Sequence, residues 1–367
     1  MDKNMPKLGF GAMRLPVEGR DDRIDLKQTS EMAALFLDRG FKYFDTAYVY
    51  HGGKSELALK EALVKKHPRH SYWLATKMPL WKVKVSSDLS RIFQDQLKRC
   101  EVDYFDYYLL HGLDRTSYQK AGNFNAFEFA ASIKKEGRAR FAGFSFHDAP
   151  SVLELILSEH PEMDFVQLQI NYLDAVQSDA SQLHEIALKH KTPIIVMEPV
   201  KGGVLSKLEP TADAILKALD PEASASSWAL RYASSLDGVY VALSGMSNIK
   251  QLKDNINTYE NFKPLSKEEK LAVESAAREL GASSAVPCTA CKYCLESCPE
   301  NLDIPRIFSA FNSLKRHGNK QSSQAKYESI PKEQRASKCI GCGACSLRCP
   351  QRILIHEELK KAVAVFE

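Results

Sequence analysis

Eight short apolar segments alternate with longer amphipathic segments through the first three-quarters of the chain, and this alternation restricts the fold more than any other feature. The longer segments, such as Ser55–Lys66, Leu89–Cys100 and Ser181–His190, repeat apolar residues every three or four positions, which indicates helices. The apolar runs, which predict strands, are 8–15, 41–46, 72–77, 104–111, 140–145, 165–170, 193–198 and 239–245. Strand–helix alternation predicts a parallel sheet. Eight such units in about 260 residues favour an α/β fold of the (β/α)8 TIM-barrel type over an open doubly wound sheet.

Cysteine is concentrated near the end of the chain, where eight of the nine cysteines lie within 62 residues. They form two runs with the spacing C-x2-C-x2-C-x3-C-P, which is typical of 4Fe–4S clusters. Two zinc sites are the alternative, but zinc usually takes its four ligands as two spaced pairs. The predicted iron ligands are Cys288, Cys291, Cys294, Cys298, Cys339, Cys342, Cys345 and Cys349.

The cysteine runs also predict a second domain. A charged, alanine-rich helix is expected over 266–283, with Gly281 as its stop. We therefore expect a barrel over residues 1–280 and a small, mainly helical, ferredoxin-like domain over 281–367. A further helix is expected after Pro305. A basic run in this domain either docks an acidic electron carrier or is a solvated linker, and it comprises Lys315, Arg316, Lys320, Lys326 and Lys332.

Charge and hydropathy exclude several classes of protein. The formal net charge is +4 over 367 residues, with both signs interspersed, so the sequence predicts no nucleic-acid surface. The first ten residues contain no apolar run of signal-peptide length, and no stretch approaches the ~20 apolar residues of a membrane span. We expect a soluble, cytoplasmic protein without a membrane partner.

Polar residues stand at the C-terminal ends of the predicted strands, where the active site of such a barrel lies. Among them, Asp45, Lys77 and His111 end three successive strands, and Tyr50 follows Asp45 in the loop. A lysine can lower the pKa of a phenol, an aspartate can orient that lysine, and a histidine can hydrogen-bond a carbonyl oxygen. These are the parts needed to protonate a carbonyl oxygen while hydride reaches its carbon.

The segments LGFGAMRL, FDTAYVYHGGKSE, ATK and YYLLH, in this order, resemble those of the aldo-keto reductases, and the resemblance covers about residues 6–262. It implies that Asp45, Tyr50, Lys77 and His111 are the catalytic tetrad, with Tyr50 as the general acid–base. It also implies a carbonyl or alcohol substrate and NAD or NADP bound across the barrel mouth. A Rossmann phosphate loop is not expected, because Arg14 stands at the third glycine position after Gly9 and Gly11.

The resemblance covers the cofactor positions less fully. Ser145 and Gln169 match the family's partners of the nicotinamide carboxamide, whereas Phe146 replaces the usual asparagine and Met197 the tyrosine that often stacks on the ring. NADP-preferring members place a lysine and an arginine where this chain has Gly245 and Gln251, so both nicotinamides remain candidates. The residues that match the adenosine-phosphate segment are Ser244, Gly245, Ser247, Gln251 and Asn255.

The cysteine-rich segment resembles the helical two-cluster ferredoxin module, in which the fourth cysteine of each run binds the other cluster. This implies one cluster on Cys288, Cys291, Cys294 and Cys349, and another on Cys339, Cys342, Cys345 and Cys298. An external carrier of ferredoxin or flavodoxin type is the implied partner. Two alternatives stay open: an electron-transfer enzyme fed by the clusters, possibly with a flavin, and a non-catalytic redox-sensing subunit.

Overall fold

The computed structural model describes residues 5–19, 23–281 and 285–367, which fold into two compact units. The first comprises Met1–Val200 and Leu205–Ala276, and the second Lys201–Val204 and Ala277–Glu367. The helix expected over 266–283 is observed over Lys267–Gly281, and the last two predicted residues lie outside the described part of the chain. The domain boundary at 280/281 stays a prediction.

Eight parallel strands of the first unit close into a barrel, as the sequence predicts. Their order around it is β1-β10-β9-β8-β7-β6-β5-β4, so neighbours in the chain are neighbours in the barrel and the last strand pairs with the first. Strands β2 and β3 form a separate antiparallel pair, which the sequence did not predict. The strands are β1 Leu8–Gly11, β2 Val17–Glu18, β3 Arg23–Ile24, β4 Tyr43–Asp45, β5 Trp73–Met78, β6 Phe105–Leu113, β7 Ala139–Phe146, β8 Phe165–Gln169, β9 Ile194–Met197 and β10 Val239–Ser244.

Helices follow the barrel strands and make up most of the second unit. In the described residues, no helix combines the length and apolarity that a membrane crossing requires. The helices are α1 Leu26–Asp38, α2 Tyr50–Gly53, α3 Ser55–Leu59, α4 Ser87–Cys100, α5 Arg115–Asn123, α6 Ala126–Lys135, α7 Pro150–Glu159, α8 Tyr172–Gln177, α9 Ala180–Lys189, α10 Pro210–Lys217, α11 Ala225–Ser234, α12 Ile249–Glu260, α13 Lys267–Gly281, α14 Ile304–His317, α15 Lys320–Glu328, α16 Ala344–Leu347 and α17 Ile355–Phe366.

The strand pleat separates an interior core from an outer core. Side chains alternate between the two faces of a strand, so on β6 Tyr107 and Leu109 face the interior, whereas Tyr108 and Leu110 pack in the outer layer. The interior core also contains Met5, Tyr43, Ala75, Phe165, Ile195, Val241 and Leu243. Because the pattern has a period of two, the next interior positions toward the C-terminal ends of β4, β5 and β6 are Asp45, Lys77 and His111.

The outer core lies between the strands and the surrounding helices. On α4, residues spaced three and four apart are buried, among them Leu89, Ile92 and Phe93. The Phe93 ring meets Tyr108 of β6 edge-on, with 5.0 Å between ring centroids. This periodic burial explains why the amphipathic segments were recognisable as helices.

The second unit has its own apolar core, built mainly on α14 and α17. Phe366 stacks on Tyr327 of α15, with ring centroids 4.6 Å apart. Asn312 of α14 pairs with both backbone groups of Val286, since its Oδ1 accepts from Val286 N at 2.7 Å and its Nδ2 donates to Val286 O at 2.8 Å. This contact ties the segment that leads into Cys288 to the longest helix around the cysteines.

The close approach of β7 and β8 depends on Gly143. A Cβ atom at this position would lie 2.4 Å from the Phe165 carbonyl oxygen and 2.9 Å from its ring. We expect Gly143→Ala to lower the free energy of unfolding by about 1–3 kcal/mol, as overpacking typically does. Urea denaturation measures the change.

Gly122, near the end of α5, is the control because a Cβ there meets nothing within 4 Å. Gly122→Ala should raise the free energy of unfolding by up to about 1 kcal/mol, since alanine is the better helix former. Equal effects of the two alanines would contradict the packing argument.

Candidate functional site

A buried lysine lies at the centre of the barrel mouth. Lys77 is fully buried, and its Nζ donates to Asp45 Oδ1 at 2.5 Å, to the Thr46 carbonyl oxygen at 2.8 Å and to the Tyr50 hydroxyl at 3.1 Å. Its ammonium also lies 4.7 Å from the centroid of the Tyr50 ring. Three of the four residues predicted as a tetrad are thus joined by direct hydrogen bonds.

The ionisation of Lys77 reflects two opposing effects. Burial lowers the pKa of the Lys77 ammonium from its ordinary value, while the negative charge and hydrogen bond of Asp45 oppose that shift. A buried ammonium without a counter-charge would lose its proton readily. Asp45 is therefore the group that favours the cationic form beside the Tyr50 phenol.

His111, the fourth predicted member, is buried beside Tyr50. The two rings meet edge-on, with 5.9 Å between centroids. The Trp81 ring also packs against the imidazole, with 5.0 Å between centroids, and Trp81 lies in a short helical turn after β5. The sequence analysis did not single out Trp81, because a lone aromatic residue in a loop carries no motif.

The loop that carries Tyr50 is held in a special backbone conformation. His51, directly after it, has φ +53°, in the left-handed region, and Gly52 and Gly53 follow with positive φ. The His51 Nε2 accepts a hydrogen bond from the Leu15 amide at 3.1 Å. The two glycines and the hydrogen bond of His51 together fix the backbone next to Tyr50. They therefore set the direction in which the Tyr50 side chain points into the barrel mouth.

Gln167, which the sequence did not single out, bonds to a member of the predicted tetrad, whereas Gln169 was predicted as a partner of the nicotinamide carboxamide. The buried Gln167 Nε2 donates to Asp45 Oδ2 at 3.1 Å, so both carboxylate oxygens of Asp45 are bonded. Gln169 instead donates to Asp174 Oδ2 at 2.7 Å. Residues two apart on a strand share one face, so periodicity alone does not distinguish the two glutamines.

A second buried polar network lies behind β5 and was also missed. Glu56 accepts from Thr76 Oγ1 at 2.6 Å, from Gln96 Nε2 at 3.1 Å and from Arg99 Nε at 2.6 Å. Gln96 also donates to the Lys77 carbonyl oxygen at 3.0 Å. The network therefore supports the backbone of the strand that carries Lys77, and Glu56 lies within the segment FDTAYVYHGGKSE that drew attention to Tyr50.

The residues proposed for a nicotinamide carboxamide and phosphates mostly bond to their own surroundings. Ser145 Oγ accepts from Gly112 N at 2.8 Å, and Asn255 Nδ2 donates to Ser244 Oγ at 2.8 Å in the layer outside β10. At the start of α12, the Ser247 amide donates to Gln251 Oε1 at 2.7 Å. Polar groups thus gather at the predicted phosphate segment.

Arg14 is a cationic residue that lies against the start of that segment. A Cβ at Gly245 would lie 2.9 Å from Arg14 Cδ, and Ser247 Oγ donates to the Arg14 carbonyl oxygen at 3.0 Å. The Arg14 guanidinium also lies 3.6 Å from the Glu198 carboxylate. In the sequence, Arg14 was notable only because it stands at the third glycine position of a Rossmann phosphate loop.

Two cavities in the second unit are each lined by four cysteines. One is lined by Cys288, Cys291, Cys294 and Cys349, with apolar neighbours that include Phe308, Ile353 and Ile355. The other is lined by Cys298, Cys339, Cys342 and Cys345. Each cavity combines three cysteines of one run with the last cysteine of the other, which is the grouping that the resemblance implied.

The cysteines surround cavities rather than a single point. Among the described residues, no three His, Cys, Asp or Glu side chains are arranged to hold one metal ion. The Ala290 amide donates to Cys288 Sγ at 3.4 Å, so a backbone donor already faces one sulfur. Burial, with the neighbouring thiols, raises the pKa of Cys294, so binding of a cationic cluster must displace thiol protons.

The comparisons with known proteins agree with this architecture. The family model described as "Aldo/keto reductase family" matches residues 7–278, and the model described as "4Fe-4S dicluster domain" matches residues 287–354. The chain belongs to the aldo/keto reductase family. It is an oxidoreductase of that family with a C-terminal 4Fe–4S dicluster domain, as the sequence predicted.

Individual relatives resemble the barrel. "Probable aldo-keto reductase 1" of Glycine max is 30% identical over 166 residues, which span 42% of this chain and 45% of the soybean protein. The holo form of an aldo-keto reductase from Bacillus halodurans superposes with a TM-score of 0.61 at 24% identity, covering 74% of this chain and 91% of that one. A Klebsiella pneumoniae aldo-keto reductase in complex with NADPH superposes with a TM-score of 0.60 at 20% identity, covering 74% and 90%.

The Glu56 network makes a testable contribution to stability. Burial raises the pKa of Glu56, and the Thr76 hydrogen bond and the Arg99 charge oppose this. When folding raises the pKa of a carboxyl group, the free energy of unfolding falls as the pH rises from the pKa of the unfolded state to the pKa of the folded state. Arg99→Met removes the opposing charge, so we expect a loss of about 3–5 kcal/mol in the free energy of unfolding at pH 8. The loss should be smaller at pH 5, where Glu56 can take up a proton, and urea denaturation at both values measures it.

Arg91, also on α4, provides the control. It pairs with Asp88 at 2.7 Å on the exposed side of the helix. Arg91→Met should change stability little at either pH, since exposed ion pairs contribute little. A pH-independent loss in Arg99→Met would contradict the role assigned to Glu56.

Proposed function

We propose that the barrel transfers hydride between NAD(P)(H) and a carbonyl or alcohol substrate, with Tyr50 as the general acid–base. The observation that carries the proposal is the position of the buried Lys77 ammonium, 2.5 Å from Asp45 Oδ1 and 3.1 Å from the Tyr50 hydroxyl. A bound nicotinamide dinucleotide supplies the hydride. The chain's own residues bind the carbonyl oxygen and control its proton.

Tyr50 donates the proton in the direction of reduction. A phenol has an ordinary pKa near 10 and is a weak acid. A cation within hydrogen-bond distance stabilises the phenolate that remains after proton transfer. Lys77 supplies that cation, and Asp45 keeps it charged and aimed, while Gln167 holds the second oxygen of Asp45 at 3.1 Å. In the reverse direction, the same phenolate accepts the proton of an alcohol.

His111 orients the substrate carbonyl. The imidazole contacts both Tyr50 and Trp81 and is almost wholly buried, so its ring is fixed before a substrate arrives. A hydrogen bond from His111 to the carbonyl oxygen polarises the bond and places the oxygen beside the Tyr50 hydroxyl. Preorganised groups of this kind lower the barrier because they need not reorient during the reaction.

The cofactor is proposed to bind across the mouth on the residues that match the family's cofactor positions. The donor set suits a dinucleotide, since amide, hydroxyl and backbone N–H groups gather near the start of α12 and Arg14 lies beside Gly245. The NADPH complex of the Klebsiella relative supports a nicotinamide of this kind. The residues concerned are Ser145, Gln169, Ser244, Gly245, Ser247, Gln251 and Asn255.

Tyr50→Phe tests the proton donor. The loss of the hydroxyl should lower kcat for NAD(P)H-dependent carbonyl reduction by about 10²–10⁴-fold, the usual contribution of general acid catalysis. Cofactor affinity should change little, because the hydroxyl acts in the transition state. Steady-state kinetics with both nicotinamides and a panel of carbonyl compounds measures kcat, and cofactor fluorescence measures binding.

Tyr48 is the matched control because its hydroxyl donates to Asp95 at 2.9 Å, away from Lys77. Tyr48→Phe should retain most of the activity. Near-normal turnover in Tyr50→Phe would refute the assignment of the acid.

The two cavities of the second unit are proposed to hold one 4Fe–4S cluster each. Cys288, Cys291, Cys294 and Cys349 would bind one, and Cys339, Cys342, Cys345 and Cys298 the other. The support is the composition of the cavities, each with four thiols and apolar walls. A single zinc ion, with Zn–S bonds of about 2.3 Å, would need its four sulfurs gathered around one point. When bound, such clusters accept and donate single electrons, and we propose that they exchange these with an external carrier.

Cys349→Ser tests the crossed grouping of the ligands. Wild-type protein reconstituted anaerobically should contain about eight iron atoms and eight sulfides per chain, as two clusters require. The serine variant should selectively lose or alter the cluster of the first run, which separate EPR signals and the iron count can show.

Cys100→Ala is the control, because Cys100 is buried in α4, far along the chain from either run. Its iron content should equal that of the wild type. About four irons in the wild type, or tightly bound zinc, would refute the two-cluster proposal.

A further inference from the structure

The two cysteine runs differ in the surface that surrounds them. Around the second run, three large apolar side chains are strongly exposed: Ile340 by 64%, Leu347 by 85% and Leu354 by 63%. In the described residues 285–303 around the first run, no large apolar side chain is exposed to this degree. Single exposed leucines are common on protein surfaces. Here three strongly exposed apolar side chains fall within one stretch of fifteen residues, from Ile340 to Leu354, which indicates an interaction surface.

These side chains flank the second cysteine run in the chain, and one of them lines the second cysteine cavity. Ile340 lines that cavity together with Cys339 and Cys342, and Cys342 is itself exposed. Leu347 ends α16, the helix that begins between Cys342 and Cys345, both of which line the same cavity. The Ile355 amide donates to Ser346 Oγ at 2.9 Å, which joins the start of α17 to α16, and Leu354 precedes Ile355, a residue of the first cavity. We call Ile340, Leu347 and Leu354, with their basic neighbours, the second-run surface.

The two runs also differ in the charge of the chain around them. Residues 335–354 contain four basic residues and no acidic one, whereas residues 285–303 contain one basic and three acidic residues. At the cavities themselves, Glu300, which follows the first run, lines the second cavity, and Lys292 lines the first. Glu357 and Glu358, which follow on α17, are paired with Lys360 and Lys361. The basic residues of the second-run surface are Arg335, Lys338, Arg348 and Arg352.

We propose that the second-run surface is the docking site for an acidic one-electron carrier protein, and that electrons enter at the cluster of Cys298, Cys339, Cys342 and Cys345. The inference rests on the proposed function, because it assumes that this cavity holds a cluster. The reduced carrier loses one electron and the oxidised cluster gains it, and no bond or proton moves. The apolar side chains exclude water at the centre of such a contact, and the basic rim attracts the acidic partner.

The basic run noted in the sequence is a separate candidate for the same partner. In the structure, Lys326 donates to Ser313 at 3.0 Å, and the Lys315 ammonium lies 4.4 Å from the centroid of the Phe311 ring. These lysines belong to α14 and α15, and none of them lines either cysteine cavity. The second-run surface is the better candidate, since its Ile340 lines the second cavity and Cys342 of that cavity is exposed.

The test uses the full-length protein, reconstituted anaerobically, with an acidic flavodoxin as the probe. Two variants alter the surface without touching a cysteine: Leu347→Gln removes an apolar contact, and Lys338→Glu reverses an exposed charge. Affinity for oxidised flavodoxin is measured by fluorescence, and the rate of cluster reduction by reduced flavodoxin is measured by stopped flow. We expect each variant to weaken binding and slow reduction by about tenfold at low salt, and the Lys338→Glu effect should shrink as salt screens the charge.

Two controls match the variants. Leu271→Gln alters a leucine of 64% exposure on α13, and Lys320→Glu reverses a charge of the other basic run. Both should bind flavodoxin as the wild type does. All variants should keep the wild-type iron content and should be reduced by dithionite at the wild-type rate. A variant with a damaged cluster would fail these two checks and is thus distinguished from a variant that loses only docking.

Several results would overturn the proposal. Unchanged flavodoxin binding in Leu347→Gln and Lys338→Glu contradicts it, and a loss confined to Lys320→Glu assigns docking to the other basic run. If Leu347→Gln abolishes self-association but leaves flavodoxin binding intact, the surface belongs to a second copy of the chain. Failure of the proposed function is distinct, since it appears as missing iron or missing carbonyl reduction in the wild type.

Discussion

The barrel mouth is organised around one buried charge. An ammonium group removed from water is unstable unless an opposite charge and hydrogen-bond acceptors surround it. Lys77 has all of these in Asp45, the Thr46 carbonyl oxygen and the Tyr50 hydroxyl. Each partner is held in turn, Asp45 by Gln167 and the Lys77 backbone by Gln96. The network therefore spreads from one lysine through strands β4, β5 and β8 and helix α4.

Much of this arrangement follows from sequence periodicity, and the part that does not has a physical reason. Strand and helix periods identify the eight units, and closure of the barrel places Asp45, Lys77 and His111 together because they end neighbouring strands. Gln167 and Gln169 share one strand face, so only the depth at which each side chain sits distinguishes them. Glu56 and Arg99 are 43 residues apart, and no local pattern shows that a buried acid will meet a buried base. The hairpin β2–β3 was missed because strands of two residues have no period to detect.

The second unit obeys a different constraint. A segment of about ninety residues buries a smaller share of its apolar surface than the much longer barrel does. Its apolar core includes Cys294 and Cys345 and is packed against by other cysteines of both runs. Because each cavity draws cysteines from both runs, binding of a cluster would link segments more than forty residues apart in the chain. Cysteine spacing alone indicates the number of clusters, whereas the crossed grouping depends on how α14 and α17 bring the runs together.

The two units imply two kinds of redox chemistry that are not directly interchangeable. Hydride carries two electrons and a proton, whereas a 4Fe–4S cluster carries one electron. The proposed hydride transfer needs an acid, a cation to stabilise its anion and a group to orient a carbonyl, and the proposal assigns these roles to Tyr50, Lys77 and His111. The surface around the second cysteine run instead combines exposed apolar side chains with basic ones, which suits a transient contact with another protein. Any coupling between them needs a substrate or a further cofactor that accepts electrons one at a time.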